Sequence, residues 1–274
     1  MLLVRGKPVA GFGFAVSLNT NGVYDNPDII DSLASLGLEQ ITISIDGAQK
    51  THDRLRGEGN FERAIKSLRL LFRKGAVLRT NTVLTKNSMA EMEEIIGIAG
   101  PYVSEMNFFY VRTTGRAKKI LDEAVSFEDL DDFNKRAAQI VRRYPTINIL
   151  FGSQVMRVNS VALNSLGLQL GGPDGFTRIN LSADGSILPG GYAPYIDKTL
   201  NLGDIREEGY TTLQICREPA KLKQFRDRSE QLVRRCLSCP ELDVRCPGIN
   251  VEMDLVRQKS PQIGNPYCKL DQNK

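Results

Sequence analysis

Up to about residue 112, short β-prone runs alternate with amphipathic helical stretches, and few folds accept that order. Residues 14–19, 40–45, 77–84 and 105–111 read as strands, and residues 27–36, 61–74 and 89–99 read as helices between them. The strands are near-continuous apolar runs, the pattern of parallel strands covered by helices. Asn26 as cap and Pro27 in the first turn open the first helix. A helix over 127–143 and a strand over 147–151 extend the series. The expected class is therefore α/β, with helices packed outside a parallel sheet.

In such sheets ligands bind beyond the carboxyl ends of the strands. Here those ends read Asn19-Thr20-Asn21-Gly22, Ser44-Ile45-Asp46-Gly47, Asn81-Thr82-Val83 and Arg112-Thr113-Thr114-Gly115-Arg116. Asn-Gly and Asp-Gly are also ordinary turn formers. Four polar ends directed to one rim point further, to a binding site.

Beyond a Gly-, Ser- and Asn-rich connector at 152–176, residues 177–188 read as a β-hairpin turning at Asp184-Gly185. A helix from residue 219 to about 225 leads into a cysteine run. All five cysteines, Cys216, Cys236, Cys239, Cys246 and Cys268, lie in the last quarter of the chain. Thiolates this close together can converge on one metal or iron-sulfur centre, with Cys236, Cys239, Cys246 and Cys268 as the four ligands. Zinc and iron-sulfur both fit that spacing. An odd cysteine count suits a disulfide framework poorly, so a reducing cytoplasm is expected. The organisation reads as a first domain over 1–151, the connector, and a second domain over 177–274.

Composition removes several classes. Apolar residues make up 41% and charged residues 25% of the 274, and no apolar run approaches the roughly 20 residues of a membrane helix. The opening stretch to Leu18 carries Arg5, Lys7 and three glycines and reads as part of the fold, not as a signal peptide. A net charge of +4 with basic and acidic residues interspersed gives no nucleic-acid footprint.

With these residues laid out, the chain resembles the radical SAM enzymes that carry a C-terminal SPASM domain, among them peptide-modifying maturases and cofactor-biosynthesis enzymes. The resemblance rests on Leu18-Asn-Thr-Asn-Gly22, Ser44-Ile45-Asp46-Gly47, His52-Asp53-Arg54-Leu55-Arg56-Gly57, Thr114-Gly115-Arg116, the hairpin from Ser182 to Pro189, Leu202-Gly203-Asp204-Ile205, and the run from Cys236 to Cys246. It implies a partial radical SAM (β/α) barrel lacking its first strands, followed by a small cysteine-rich α+β SPASM domain. The family's CxxxCxxC loop has no counterpart here, so reductive cleavage of S-adenosylmethionine is not expected of this chain as written. Gly190 and Asn250 stand where one auxiliary cluster would take cysteines. The four remaining ligands imply a single auxiliary [4Fe-4S] cluster, and Cys216 is expected to be a buried structural thiol.

The resemblance also implies roles. Ser44 and Asp46 would line a pocket for the ribose of S-adenosylmethionine, Asn19, Asn21 and Asn81 would share its rim, and Arg56 and Arg116 would engage a carboxylate of cofactor or peptide. For Arg56 a salt bridge to Glu58 or Asp53 is the alternative. His52, the chain's only histidine, is expected to make local hydrogen bonds at a helix start, and Tyr110 to pack in the core; no catalytic residue is assigned. The substrate would be a peptide or a small haem- or quinone-like precursor, and a partner protein or residues 1–11 would cover the open edge at 14–19. Two other readings stand beside this one: a non-catalytic cluster-bearing relative that binds a peptide or partner, and a zinc-stapled binding module.

Overall fold

The computed structural model describes residues 15–111, 115–125, 127–152, 175, 178–193, 197–207 and 220–240. The chain divides into two compact units, one comprising residues to Val111 with 123–125 and 135–152, the other holding the remainder. In the first, strands β1 (Ser17–Thr20), β2 (Gln40–Ser44), β3 (Leu78–Leu84), β4 (Glu105–Tyr110) and β5 (Asn148–Gly152) form one sheet in chain order, each pair parallel. Among the described residues β1 pairs only with β2.

The two faces of this sheet differ in chemistry. Ile41 and Ile43 of β2, Leu78, Thr80, Thr82 and Leu84 of β3, and Met106 and Phe108 of β4 are all buried. Helix α3 (Asn60–Arg73) lies against β2 and β3 and brings Phe61, Ala64, Ile65, Leu68 and Leu71 into the same core, at the spacing of one helical stripe. Side chains alternate along a strand, so the intervening residues face the other way. They are Thr42 and Ser44 on β2, Arg79, Asn81 and Val83 on β3, and Glu105, Asn107 and Phe109 on β4. That face is largely polar.

Helix α1 (Asp28–Ser35) follows β1, while α2 (Gln49–Arg56) and α3 follow β2. The single helix expected at 89–99 is two: α4 (Lys86–Ala90) and α5 (Met92–Ala99). A capping box starts α4, with Thr85 Oγ1 accepting from Ser88 N–H and Ser88 Oγ from Thr85 N–H. The two helices meet at Glu91, whose side chain is engaged elsewhere. A 3₁₀ segment (Gly115–Glu123) and helix α6 (Phe127–Arg143) complete the connection to β5.

In the second unit, β6 (Asn180–Leu181), β7 (Ser186–Leu188) and β8 (Gly203–Asp204) form an antiparallel sheet in that order. The first turn falls at Asp184-Gly185, where Gly185 takes a φ of 93° and Asp184 Oδ1 accepts from Ser186 N–H at 3.0 Å. Helix α7 (Ala220–Leu237) runs well past the expected residue 225; its Leu222 packs with Ile187 and Leu202.

Candidate functional site

Strand register gathers part of the expected rim into one row. Ser44 pairs with Asn81, and Asn81 with Asn107, so the three polar side chains lie side by side on one face. Ser44 is the last residue of β2, whereas Asn81, expected at a strand end, and Asn107 lie in the middle of β3 and β4. Asn107 Nδ2 donates to Asn81 Oδ1 at 3.3 Å. Among the described residues nothing bonds the hydroxyl of Ser44 or the amide nitrogen of Asn81, and Asn107 Oδ1 is a buried acceptor without a donor. Both Ser44 and Asn81 remain partly exposed. Asn107 was missed by sequence reasoning because it sits within Asn-Phe-Phe-Tyr, which reads as strand interior; only the register brings it beside Asn81.

A second row lies one step towards the amino ends. Asn19 pairs with Thr42, Thr42 with Arg79, Arg79 with Glu105 and Glu105 with Asn148. Arg79 Nη1 donates to Glu105 Oε1 at 2.8 Å, and Asn148 Nδ2 donates to Glu105 Oε2 at 3.0 Å. Charge here is matched within the sheet. Asn19 is exposed on β1, and Asn21, just past that strand, uses its Oδ1 to accept Val23 N–H at 3.1 Å.

The turn after β2 is held from several sides. Asp46 Oδ1 accepts Val83 N–H of β3 at 3.1 Å, and Asp46 Oδ2 accepts Arg56 Nε of α2 at 2.5 Å. Arg56 thus pairs with Asp46, and neither Glu58 nor Asp53 is its partner; Asp53 instead accepts Gly59 N–H and Phe61 N–H, joining α2 to α3. Glu91 reaches across from the α4–α5 junction to cap α2: its Oε2 accepts Ala48 N–H at 2.8 Å and its Oε1 accepts Thr51 Oγ1–H at 2.6 Å. Gly47 lies between them, with room for no larger residue.

His52 sits one turn inside α2, not at its start, and is fully buried. Asp46 N–H donates to its Nδ1 at 3.1 Å. Burial pushes its pKa below the usual 6.5, with Arg56 acting in the same direction against the opposing pull of Asp46 and Asp53. Arg54 forms a two-pronged ion pair with Glu123, and Thr85, just past the end of β3, bridges to Ala124.

The cysteine region is described in part. Cys236 falls in the last turn of α7, and the partly exposed Cys239 follows two residues after the helix ends. The side chains of Cys236, Tyr110 and Arg116, and all of Cys216, Cys246 and Cys268, lie outside the described residues. Among the described residues no three His, Cys, Asp or Glu side chains converge as a metal site, and no helix is long and apolar enough to cross a membrane.

Comparison with known proteins places this geometry. The family model of the Radical SAM superfamily matches residues 2–98. The mycofactocin maturase MftC of Mycobacterium tuberculosis is 30% identical over 107 residues, which cover 38% of this chain and 27% of the maturase. An AdoMet-dependent heme synthase of Methanosarcina barkeri is 32% identical over 107 residues, 38% of this chain and 31% of the synthase. These matches thus span under a third of either relative's length. The crystal structure of Streptococcus suis SuiB bound to S-adenosylmethionine superposes with a TM-score of 0.65 at 16% identity, covering 92% of this chain and 59% of SuiB. The chain therefore has an α/β fold with a parallel sheet like that of SuiB, and its residues 2–98 match the Radical SAM superfamily.

Proposed function

We propose that the sheet's polar row forms part of an S-adenosylmethionine pocket in a radical SAM enzyme that modifies a peptide or a haem- or quinone-like precursor. The observation that carries this reading is the row of Ser44, Asn81 and Asn107, with spare hydrogen-bonding capacity on the polar face of the parallel sheet and reaching the carboxyl end of β2 at Ser44. A hydroxyl and two carboxamides can each donate and accept, which suits the ribose hydroxyls and amide-like edges of such a ligand. Asn19 and Asn21 would extend the rim at β1. Asp46 and Arg56 serve the pocket as a brace, since each already engages the other.

Ser44 and Asn81 would bind and orient S-adenosylmethionine, the radical source in enzymes of this kind, while its reductive cleavage is not expected of the sequence as written, which has no CxxxCxxC loop. In the second region, Cys236, Cys239, Cys246 and Cys268 would hold one auxiliary [4Fe-4S] cluster within a SPASM-type domain, offering an electron relay and a covalent staple for a small fold. A reducing cytoplasm would keep those thiolates available. The named relatives support the substrate class: one is a maturase, one a heme synthase, and SuiB has been crystallised with the precursor peptide SuiA.

The test is anaerobic reconstitution of the chain with ferrous iron and sulfide, followed by metal analysis, visible and electron paramagnetic resonance spectroscopy, and equilibrium binding of S-adenosylmethionine. About four irons per chain, lost in Cys239→Ala, is the expected result. Affinity for S-adenosylmethionine should fall by about tenfold in Asn81→Ala, the effect of a hydrogen bond or two. A colourless protein with about one zinc per chain would replace the cluster by a zinc staple. No binding of S-adenosylmethionine would overturn the pocket.

A further inference from the structure

The ring of His52 fits its site in only one protonation state. Its Nδ1 accepts Asp46 N–H at 3.1 Å, so that nitrogen is unprotonated and the neutral ring carries its proton on Nε2. Nε2 is itself buried with no acceptor among the described residues, and the nearest ring, Phe61 of α3, packs edge-on at 5.7 Å between centroids. Moving the proton to Nδ1, or adding a second one, would set two N–H groups against each other and leave Asp46 N–H without a partner. The consequence falls on the turn after β2. Asp46 begins that turn, ties it to β3 through Val83 N–H, and stands two residues after Ser44.

The geometry points to His52 as a positioning residue: its unprotonated Nδ1 fixes the Asp46 backbone, and through it the placing of Ser44 beside Asn81, so that ligand affinity of the row follows the ring's protonation. The link to affinity rests on the pocket proposed above. The charged groups facing the ring are Asp46 from the turn and Asp53 and Arg56 from its own helix. From α3 it meets Phe61, and Glu91 beyond the turn is engaged by Ala48 and Thr51. Burial outweighs the two carboxylates and lowers the ring's pKa below 6.5, which favours the neutral, accepting form.

Because the chain has one histidine, a ¹⁵N-histidine label reports on this ring alone. The expected spectrum is the Nε2–H tautomer at neutral pH, titrating below 6.5, with the Asp46 amide protected from hydrogen exchange until the ring protonates. His52→Asn places a carbonyl oxygen where Nδ1 accepts and cannot titrate. It should keep Asp46 protection and S-adenosylmethionine affinity within about threefold of the parent at neutral pH, and lose the fall in affinity on acidification. His52→Ala should lower Asp46 protection about tenfold and weaken binding by about two- to tenfold, the range for one hydrogen bond. Should His52→Ala fail to fold, the parent's tautomer and the behaviour of His52→Asn still decide. An Nδ1–H tautomer, ordinary titration, or affinity that ignores both variants overturns the proposal. If the parent binds no S-adenosylmethionine while Asp46 protection follows the ring, the pocket reading fails and the hold of His52 on the turn is supported.

Discussion

Replacing Gly47 by alanine tests whether the turn after β2 is as tightly built as its bonds imply. A Cβ on residue 47 would lie 2.5 Å from Thr51 Cγ2, 2.6 Å from Thr51 Cβ and 3.0 Å from Glu91 Oε2. Rotating Thr51 removes the first contact but not the second, because Cβ is fixed to the α2 backbone. The first turn of α2 must therefore move away, and with it go the bonds from Ala48 N–H and Thr51 Oγ1–H to Glu91. Losing a helix cap costs about 1 kcal/mol, and crowding one extra methyl into a packed site costs about 1–3 kcal/mol. The sum is about 2–4 kcal/mol. Gly97→Ala supplies the control: the added methyl meets nothing within 4 Å, and in exposed helix the change should stabilise by up to about 1 kcal/mol. Urea unfolding followed by circular dichroism measures both. A Gly47→Ala chain within about 0.5 kcal/mol of the parent, or a Gly97→Ala chain equally damaged, would refute the packing argument.

Three further outcomes follow from the same structure. Asp46→Ala leaves the Arg56 guanidinium and Val83 N–H without their acceptor in a mostly buried place and should cost about 2–4 kcal/mol in the same unfolding assay. Leu68→Ala, at a fully buried position of α3, should cost about 2–5 kcal/mol through lost transfer energy and the cavity left behind. His52 has a folded pKa below its unfolded value, so its contribution to stability is present above pH 6.5 and is lost as pH falls through the folded value. The slope from this one group is at most about 1.4 kcal/mol per pH unit, and it should vanish in His52→Asn when unfolding is measured across that range.

Much of the first unit was legible because its strands and most of its helices are written in apolar residues. The isoleucines of β2 and the apolar stripe of α3 place both elements, and α6 was read at both its ends. Helix α2 was read only as a helix start near His52, three residues late and without an end, for a physical reason. Gln-Lys-Thr-His-Asp-Arg-Leu-Arg has one large apolar residue, and the side chains it buries are Thr51, His52 and Asp53, held by hydrogen bonds to a turn and a helix that lie elsewhere in the sequence. The break between α4 and α5 has a related origin, since Glu91 at the junction is committed to α2. Periodicity reports burial of apolar area, and it is silent where burial is achieved by paired polar groups.

The same distinction separates two kinds of polar residue on and around the sheet. Asp46, Asp53, Arg56, His52 and Glu91 have each committed hydrogen-bonding groups to other parts of the protein: Asp46 is paired with Arg56, and Asp53 and Glu91 accept from backbone N–H groups and, for Glu91, the Thr51 hydroxyl. Ser44 and the amide nitrogen of Asn81 are committed to nothing among the described residues, and both are neutral. A ligand can gain only from groups with capacity to spare, because displacing Arg56 from Asp46 would expose an unpaired carboxylate in a mostly buried place. As a ligand pocket, the row would favour an uncharged hydroxyl- or amide-bearing group over a phosphate or carboxylate. Its selectivity comes from unmade hydrogen bonds: a ligand lacking the matching group would bury these donors and acceptors without replacing the water they lose. The charged residues around the row act one step removed, by fixing the backbone that carries it.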